Sequence, residues 1–422
     1  MHVLILNQTF YPDVAATAQH MWDLARHLDR HGHRVTALAS RTLYGTDRPA
    51  GPAHERIGAI EIHRVRGTGL GKRSLAARAT DFASFYAAAG AKLQQLPAPD
   101  VILALSSPPM IAALGMMQKQ FRVGEGGRRP RFVYHVMDLY PDAAVASGLF
   151  RCGGVTHRAL GGITGQTLRA ADAVIALGRD MRQRILARYR RHVSHERIHV
   201  VPPWADGREL FPLARADNPL AAQLGLRDTF NVVYSGNLGV AHDVTTIIQA
   251  IEMSPADAQL RWVFIGGGNG FDRIREQSAR ANWPHVHILP YKDRHVLNQS
   301  LNLADVHLVS QGPAFVGLVV PSKLFGIMAV GKPTIMIGPG EAECARILVE
   351  HDAGIVIPNG DAGQLTAAIQ RLSADPDAAR AMGRRARHAF DRHYDREIAC
   401  ERIMSMLEQI CGGSRSVLRL SG

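Results

Sequence analysis

Short apolar runs rich in Val and Ile alternate with longer stretches of helical period along this chain, and the alternation begins twice. In the first half the runs are Val3–Leu6, Val35–Ala39, Ile60–Val65, Val101–Leu105, Phe132–Val136 and Ala173–Leu177. Between the first two, Ala18, Met21, Trp22, Ala25 and Leu28 recur at three- and four-residue spacing, and the pattern stops at Gly32, as a helix with a glycine stop does. Strand, helix, strand in that order predicts parallel pairing, and a parallel sheet needs helices over both faces. The pattern restarts with Asn231–Tyr234, Trp262–Ile265, Val286–Leu289, Val306–Val309, Thr334–Ile337 and Gly354–Ile357, with helical patterns near Val244–Ile251, Arg273–Ala281, His295–Asn302 and Gln364–Leu372. The chain therefore reads as α/β, with two doubly wound parallel sheets in tandem.

A length of 422 residues accommodates two such domains. The expected boundaries are 1–200 for the first and 207–385 for the second, joined through Val200-Val201-Pro202-Pro203-Trp204-Ala205-Asp206, where two prolines close the sixth strand. A terminal helix over 386–411 is long enough to cross back and brace the first domain. The tail, 412–422, has no periodicity.

The charge is lopsided. Of 49 Lys and Arg and 37 Asp and Glu, about 27 and 14 fall in the first 200 residues, so the first half holds the whole of the +12 net charge. Basic runs at Gly71-Lys72-Arg73, Arg128-Arg129-Pro130-Arg131 and Arg182 to Arg191 suit an anionic membrane surface or a diphosphate-bearing substrate, and equally a plain solvated face. No nucleic-acid recognition module with interleaved aromatics accompanies them. The four cysteines form no Cys-x-x-Cys or Cys/His zinc spacing, the N-terminus runs straight into a strand, and no long uncharged apolar run occurs. The expectation is a cytoplasmic protein with at most peripheral contact at the inner membrane face.

In open parallel sheets ligands bind at the carboxyl ends of the strands. After the first strand, Asp13, Ala15, Ala16 and Thr17 open a helix with small residues that let a ligand approach the backbone. After the fifth, His135 and Asp138 are candidates to hydrogen-bond sugar hydroxyls and assist a departing group. In the second half Ser235, Gly236, Asn237, Leu238 and Gly239, followed by His242, read as a strand-to-helix turn able to cradle phosphate. Gly266-Gly267-Gly268-Asn269-Gly270 fails the dinucleotide spacing, because Phe271 stands at the last position, so NAD is not expected there. Pro321-Ser322-Lys323-Leu324 opens a helix closed by Gly331-Lys332-Pro333. A lysine in a first helical turn runs against the helix dipole, which favours a functional reading of Lys323.

Taken in serial order, Phe10-Tyr11-Pro12, Asp138-Leu139-Tyr140-Pro141, Pro203-Trp204-Ala205-Asp206, Ser235-Gly236-Asn237-Leu238-Gly239, Pro290-Tyr291, Pro321-Ser322-Lys323 and Gly331-Lys332-Pro333 resemble the family 4 glycosyltransferases, and most of all the group that builds bacterial capsule and O-antigen repeats, often described as fucosamine transferases. The resemblance spans nearly the whole chain. It implies the GT-B fold, two Rossmann-like doubly wound parallel-sheet domains facing across a cleft. It also implies retaining transfer of a sugar from a nucleoside-diphosphate donor, a UDP-sugar first among them, to a glycan or polyprenyl-diphosphate-linked acceptor. The base is then expected near Pro290-Tyr291-Lys292, the diphosphate between Ser235–Gly239 and Lys323, with Gly267, Ser322 and Leu324 also donor-binding, and the transferred sugar near His135 and Asp138. No metal and no separate cofactor are expected, in keeping with the absence of an Asp-x-Asp motif. The paired glutamates and the Arg/Lys clamp of the wider family are missing: Leu318 and Gly326, Asn237 and His242-Asp243 stand there. Two alternatives share this architecture, a nucleotide-sugar 2-epimerase and a non-catalytic sugar-nucleotide-binding protein.

Overall fold

A computed structural model describes the chain apart from residues 44–45, 47, 70–74, 125–126, 255–258 and 413–422. The basic run Gly71-Lys72-Arg73 and nearly all of the expected tail lie outside the described residues. The chain divides into two compact units, Met1–Pro202 together with the chain from Ala399, and Pro203–Ile398.

The first unit holds β1 (His2–Leu6), β2 (Arg34–Ser40), β3 (His54–Ile57), β4 (Ile60–Val65), β5 (Val101–Ala104), β6 (Arg131–Val136), β7 (Ala173–Ala176) and β8 (Ile198–Val200). They lie in the order β3-β4-β2-β1-β5-β6-β7-β8. Val3–Leu6 and Val101–Ala104 are wholly buried, the continuous apolar signature of strands covered on both faces. Helix Ala16–Arg30 packs along β2 and β4 and buries Ala18, Met21, Leu24, Ala25 and Leu28, each with no exposed surface.

Two of these strands have no apolar run to announce them. His54-Glu55-Arg56-Ile57 pairs only with β4, antiparallel, so the sheet is not parallel throughout. Its charges suit an edge, where they discourage pairing with another chain. Ile198–Val200 pairs only with β7, and it is this eighth strand that the linker prolines close.

The second unit holds β9 (Phe230–Asn237), β10 (Leu260–Gly267), β11 (Val286–Leu289), β12 (Val306–Ser310), β13 (Thr334–Ile337) and β14 (Gly354–Ile357), all parallel, in the order β11-β10-β9-β12-β13-β14. Winding reverses between β9 and β12, as it does between β1 and β5 in the first sheet, and a reversal opens a crevice at the strand ends. A core of Trp262, Phe264, Phe271, Ile247 and Ile274 lies under β9. Within it the ring of Tyr234 packs 6.5 Å from Phe264 and 6.3 Å from Phe271, centroid to centroid. Burial of each such ring contributes roughly 1.5–3 kcal/mol.

Past Pro376 the chain forms two helices, Pro376–His393 and Arg396–Ile410, where the sequence predicts one over 386–411. Neither Gly nor Pro marks the break at Tyr394-Asp395. Tertiary contact supplies it: Ala205 bridges to Asp395, Gly207 N–H donates to Asp395 Oδ2 at 3.0 Å, and Arg396 pairs with Asp206. No helix among the described residues is long and apolar enough to cross a membrane.

Candidate active site

At the reversal point of the second sheet, β9 and β10 stay paired to their last residues, with Gly236 opposite Gly266 and Asn237 opposite Gly267. A Cβ on Gly266 would stand 2.2 Å from the carbonyl oxygen of Gly236, which no side chain could tolerate. Ser235, Gly236 and Asn237 are therefore strand, not turn. The turn proper begins at Leu238, whose side chain is buried and whose N–H donates to Gly267 O at 2.9 Å, so that amide is not free for phosphate. Beyond it, the N–H groups of Gly239, Val240 and Ala241 have no acceptor among the described residues.

Lys323 reaches this edge from 86 residues away. Its Nζ donates to Asn237 O at 3.0 Å and to the hydroxyl of Tyr234, and it sits 3.9 Å from the centre of the Tyr234 ring. Tyr234 in turn donates to Asn237 O at 3.1 Å. One ammonium proton is left to point outward. Burial with no carboxylate beside it pushes the Lys323 ammonium down to about 7. Ser322 flanks it without capping the helix Lys323–Ala329. Two amides of that helix start are already occupied, since Leu324 N–H donates to Pro321 O and Phe325 N–H to Ser322 O. The side chain of Leu324 is wholly buried, so it packs and does not face the edge.

His242 and Asp243 stand where the wider family has its second cation, and neither supplies one. His242 Nδ1 donates to Ser310 O at 2.6 Å, tying the end of β9 to the end of β12. Burial, and then the charge of Lys323, push its ring down to about 3, so it is neutral at pH 7 and presents Nε2 as an acceptor. Asp243 caps the helix Thr245–Met253, accepting from Thr246 N–H at 3.1 Å and from Asn359 Nδ2 at 2.9 Å. Burial works against its charge, but these hydrogen bonds prevail and hold its carboxyl below the usual range. Next along the sheet, Tyr291 is 61% exposed and its ring lies where a Cβ on Gly267 would stand 3.0 Å from it. The glycine makes room for a flat aromatic face.

At the reversal point of the first sheet, Asp13 is buried and its Oδ1 accepts from Ala15 N–H at 2.9 Å, setting the entry to helix Ala16–Arg30. Thr17 Oγ1 lies 2.9 Å from Thr9 Oγ1. Ala16 is exposed, and the N–H groups of Ala16 and Thr17 have no acceptor among the described residues. Asp138 and His135 are close in sequence but placed differently. His135 lies within β6, wholly buried, with neither ring nitrogen hydrogen-bonded, and burial followed by the proximity of His20 pushes it down to about 3. Asp138 follows the strand end, half-buried. Its N–H and that of Met137 both donate to Ser106 Oγ, at 2.9 and 3.0 Å, and burial pushes its carboxyl up to about 6.

Sequence reasoning overlooked Tyr234, Ser106 and Asn359, which hold Lys323, Asp138 and Asp243 in place. Tyr234 adjoins the glycine motif and could have been suspected. Ser106 and Asn359 act on residues 32 and 116 positions away.

The chain matches the family described as Glycosyl transferase 4-like domain over residues 16–204 and that described as Glycosyl transferases group 1 over residues 220–389. WbjE of Pseudomonas aeruginosa, named as a probable glycosyltransferase, is 26% identical over 289 residues, 68% of this chain and 70% of WbjE. WcaI of Escherichia coli (strain K12), named as a candidate colanic acid biosynthesis glycosyl transferase, is 24% identical over 372 residues, 85% of this chain and 88% of WcaI. Among solved structures, Anabaena Alr3699/HepE in complex with UDP-glucose superposes with a TM-score of 0.69 at 17% identity, covering 97% of this chain and all of that one. The two tandem sheets, the glycine-tightened strand pair and the two family matches together place the chain in the family 4 glycosyltransferases of the GT-B fold.

Proposed function

We propose that the protein is a retaining transferase that moves a sugar from a UDP-sugar to a glycan or polyprenyl-diphosphate-linked acceptor during synthesis of a bacterial surface polysaccharide, at the cytoplasmic membrane face. One observation carries the donor half of this reading: an ammonium held by Tyr234 and Asn237 O beside the unoccupied amides of Gly239, Val240 and Ala241. That arrangement suits a diphosphate and little else of comparable size. The Tyr291 face over Gly267 suits a stacked base, and His242 Nε2 suits a ribose or sugar hydroxyl as donor. HepE was solved with UDP-glucose and WcaI carries the name of colanic acid biosynthesis, which supports the donor and the pathway class.

In the transfer step the bond from the anomeric carbon to the leaving phosphate oxygen breaks while the acceptor oxygen attacks the same face. The acceptor proton passes to the departing diphosphate, whose new charge Lys323 and the three amides stabilise. No metal is required. Asp138, held as the acid up to about pH 6 and as the base above it, is chemically suited to hydrogen-bond sugar hydroxyls. His135 has no exposed surface and lies within the strand that leads to Asp138. The surplus cations of the first 200 residues support docking to anionic lipid, although Arg188 is spent internally on Asp142 and His157. Calorimetric titration with UDP, GDP, ADP, CDP and dTDP tests the reading. Saturable heat is expected for UDP, and silence from all five would end it.

A further inference from the structure

Glu401 on the last helix meets the first helix of the chain across 374 residues of sequence. His27 and His31 lie one turn apart there, so their rings leave the same face, with centroids 4.4 Å apart and planes tilted by 33°. Glu401 Oε2 stands 3.2 Å from His27 Nε2, and one ligand atom from each of the three residues lies within 4.8 Å of the other two. His31 Nδ1 donates to His27 O at 2.8 Å, which leaves the lone pair on His31 Nε2. Imidazoles that bind metal are oriented in this way, by the hydrogen bond their second nitrogen makes.

A tetrahedral zinc ion with bonds of about 2.0–2.1 Å holds its ligand atoms roughly 3.3 Å apart, the separation His27 and Glu401 already have. His31 is exposed and its ligand atom already lies within 4.8 Å of the other two, so a small adjustment closes the third edge. It follows the last residue of helix Ala16–Arg30, at the end whose dipole favours a cation. His27 is 3% exposed and Glu401 about half, so the ion would be walled on one side and open to water as fourth ligand on the other.

We propose that His27, His31 and Glu401 form a binding site for a zinc-class divalent ion that clamps the terminal helix to the first helix. The ion takes His27 Nε2, His31 Nε2 and a Glu401 oxygen in place of the hydrogen bond between His27 and Glu401, and the neutral His27 ring carries its proton on Nδ1. A second tie to the last helix, from His33 in the turn after the first helix, Nε2 to Glu408 Oε1 at 3.1 Å, offers two ligands only and holds without metal. The other cluster, His54, Glu61 and His63, is a poorer site. Its imidazoles stack nearly parallel, 4.4 Å apart at 7°, and Arg34 already holds Glu61 at 3.1 Å.

The test is calorimetry of chelator-treated full-length protein with Zn²⁺, alongside Co²⁺ absorption as a report of geometry. Wild type is expected to bind one ion, to melt higher with Zn²⁺ and to resist tryptic cleavage in its last helix. His31→Ala and Glu401→Gln, both at accessible positions, should each weaken binding by at least about tenfold and remove the tetrahedral Co²⁺ band, while His54→Ala leaves both intact. Absence of Zn²⁺ binding by the wild type, unchanged affinity in His31→Ala and Glu401→Gln, or loss of binding in His54→Ala would each overturn the proposal.

Discussion

The two sheets reverse their winding in the same way, yet the strand ends at the two reversal points have opposite chemistry. In the second unit the strand end carries one ammonium and a row of amides beside a neutral His242, and Asp243 is taken up by Thr246 N–H and Asn359. In the first unit the outstanding group is an acid, Asp138, whose charge is opposed by burial, above a histidine that burial keeps neutral. One fold plan thus yields an edge of donors at one reversal point and an acid opposed by burial at the other. What differs is which side chains the strand-end loops turn outward, and fold alone does not set function.

This contrast can be broken most sharply at Asp138. Asp138→Asn is expected to lower turnover by about 10- to 150-fold, the range of a lost hydrogen bond to a charged group, while UDP affinity by calorimetry stays within about twofold. The same change removes a charge that burial disfavours, so the variant should melt no lower than wild type at pH 8. Loss of UDP binding in it would show the two sites to be one.

Lys323→Ala is the complementary change. A hydrogen bond to a charged group contributes about 1.5–3 kcal/mol, so UDP affinity should fall roughly 10- to 150-fold. An affinity equal to wild type would move the diphosphate elsewhere.

The third probe is pH. The Lys323 ammonium of the free protein titrates near 7, and a bound diphosphate favours the charged form. Lys323 is charged and contributes in full at acidic pH, so UDP binding should there show no pH dependence through it, and should weaken as pH rises above about 7, by at most tenfold per unit, with a proton taken up on binding. Binding heats that vary with buffer ionisation enthalpy at pH 8 would report that proton, and Lys323→Ala should lose the effect.

The smallest change is Tyr234→Phe. The ring stays packed on Phe264 and Phe271 while the hydroxyl that accepts from Lys323 goes, at a cost of about 1 kcal/mol, or some fivefold in UDP affinity. Retention of full affinity would mean that Asn237 O alone positions the ammonium.

The sheets were legible because their strands are covered on both faces and must be written as unbroken apolar runs. Val3–Leu6 and Val101–Ala104 could hardly read otherwise. Strand β3 was not legible, since an exposed edge of His, Glu and Arg carries no such obligation. Lys323 stood out because a cation in a first helical turn opposes the dipole, a local anomaly visible without coordinates. The roles of His242 and Asp243 were not visible, because what makes one neutral and the other a cap is Ser310 O and the packing around it, and Asn359, which lie far along the chain.

By itself, then, the sequence determined the period of its elements, their order and the chemical types placed at strand ends, because those follow from burial and backbone geometry within a few residues. Tertiary structure decided which of these types carry charge, which backbone amides stay free, where the last long helix breaks, and that Glu401 meets His27 and His31. Each of those depends on partners brought close by folding, and desolvation and hydrogen bonding act through space with no regard for sequence distance.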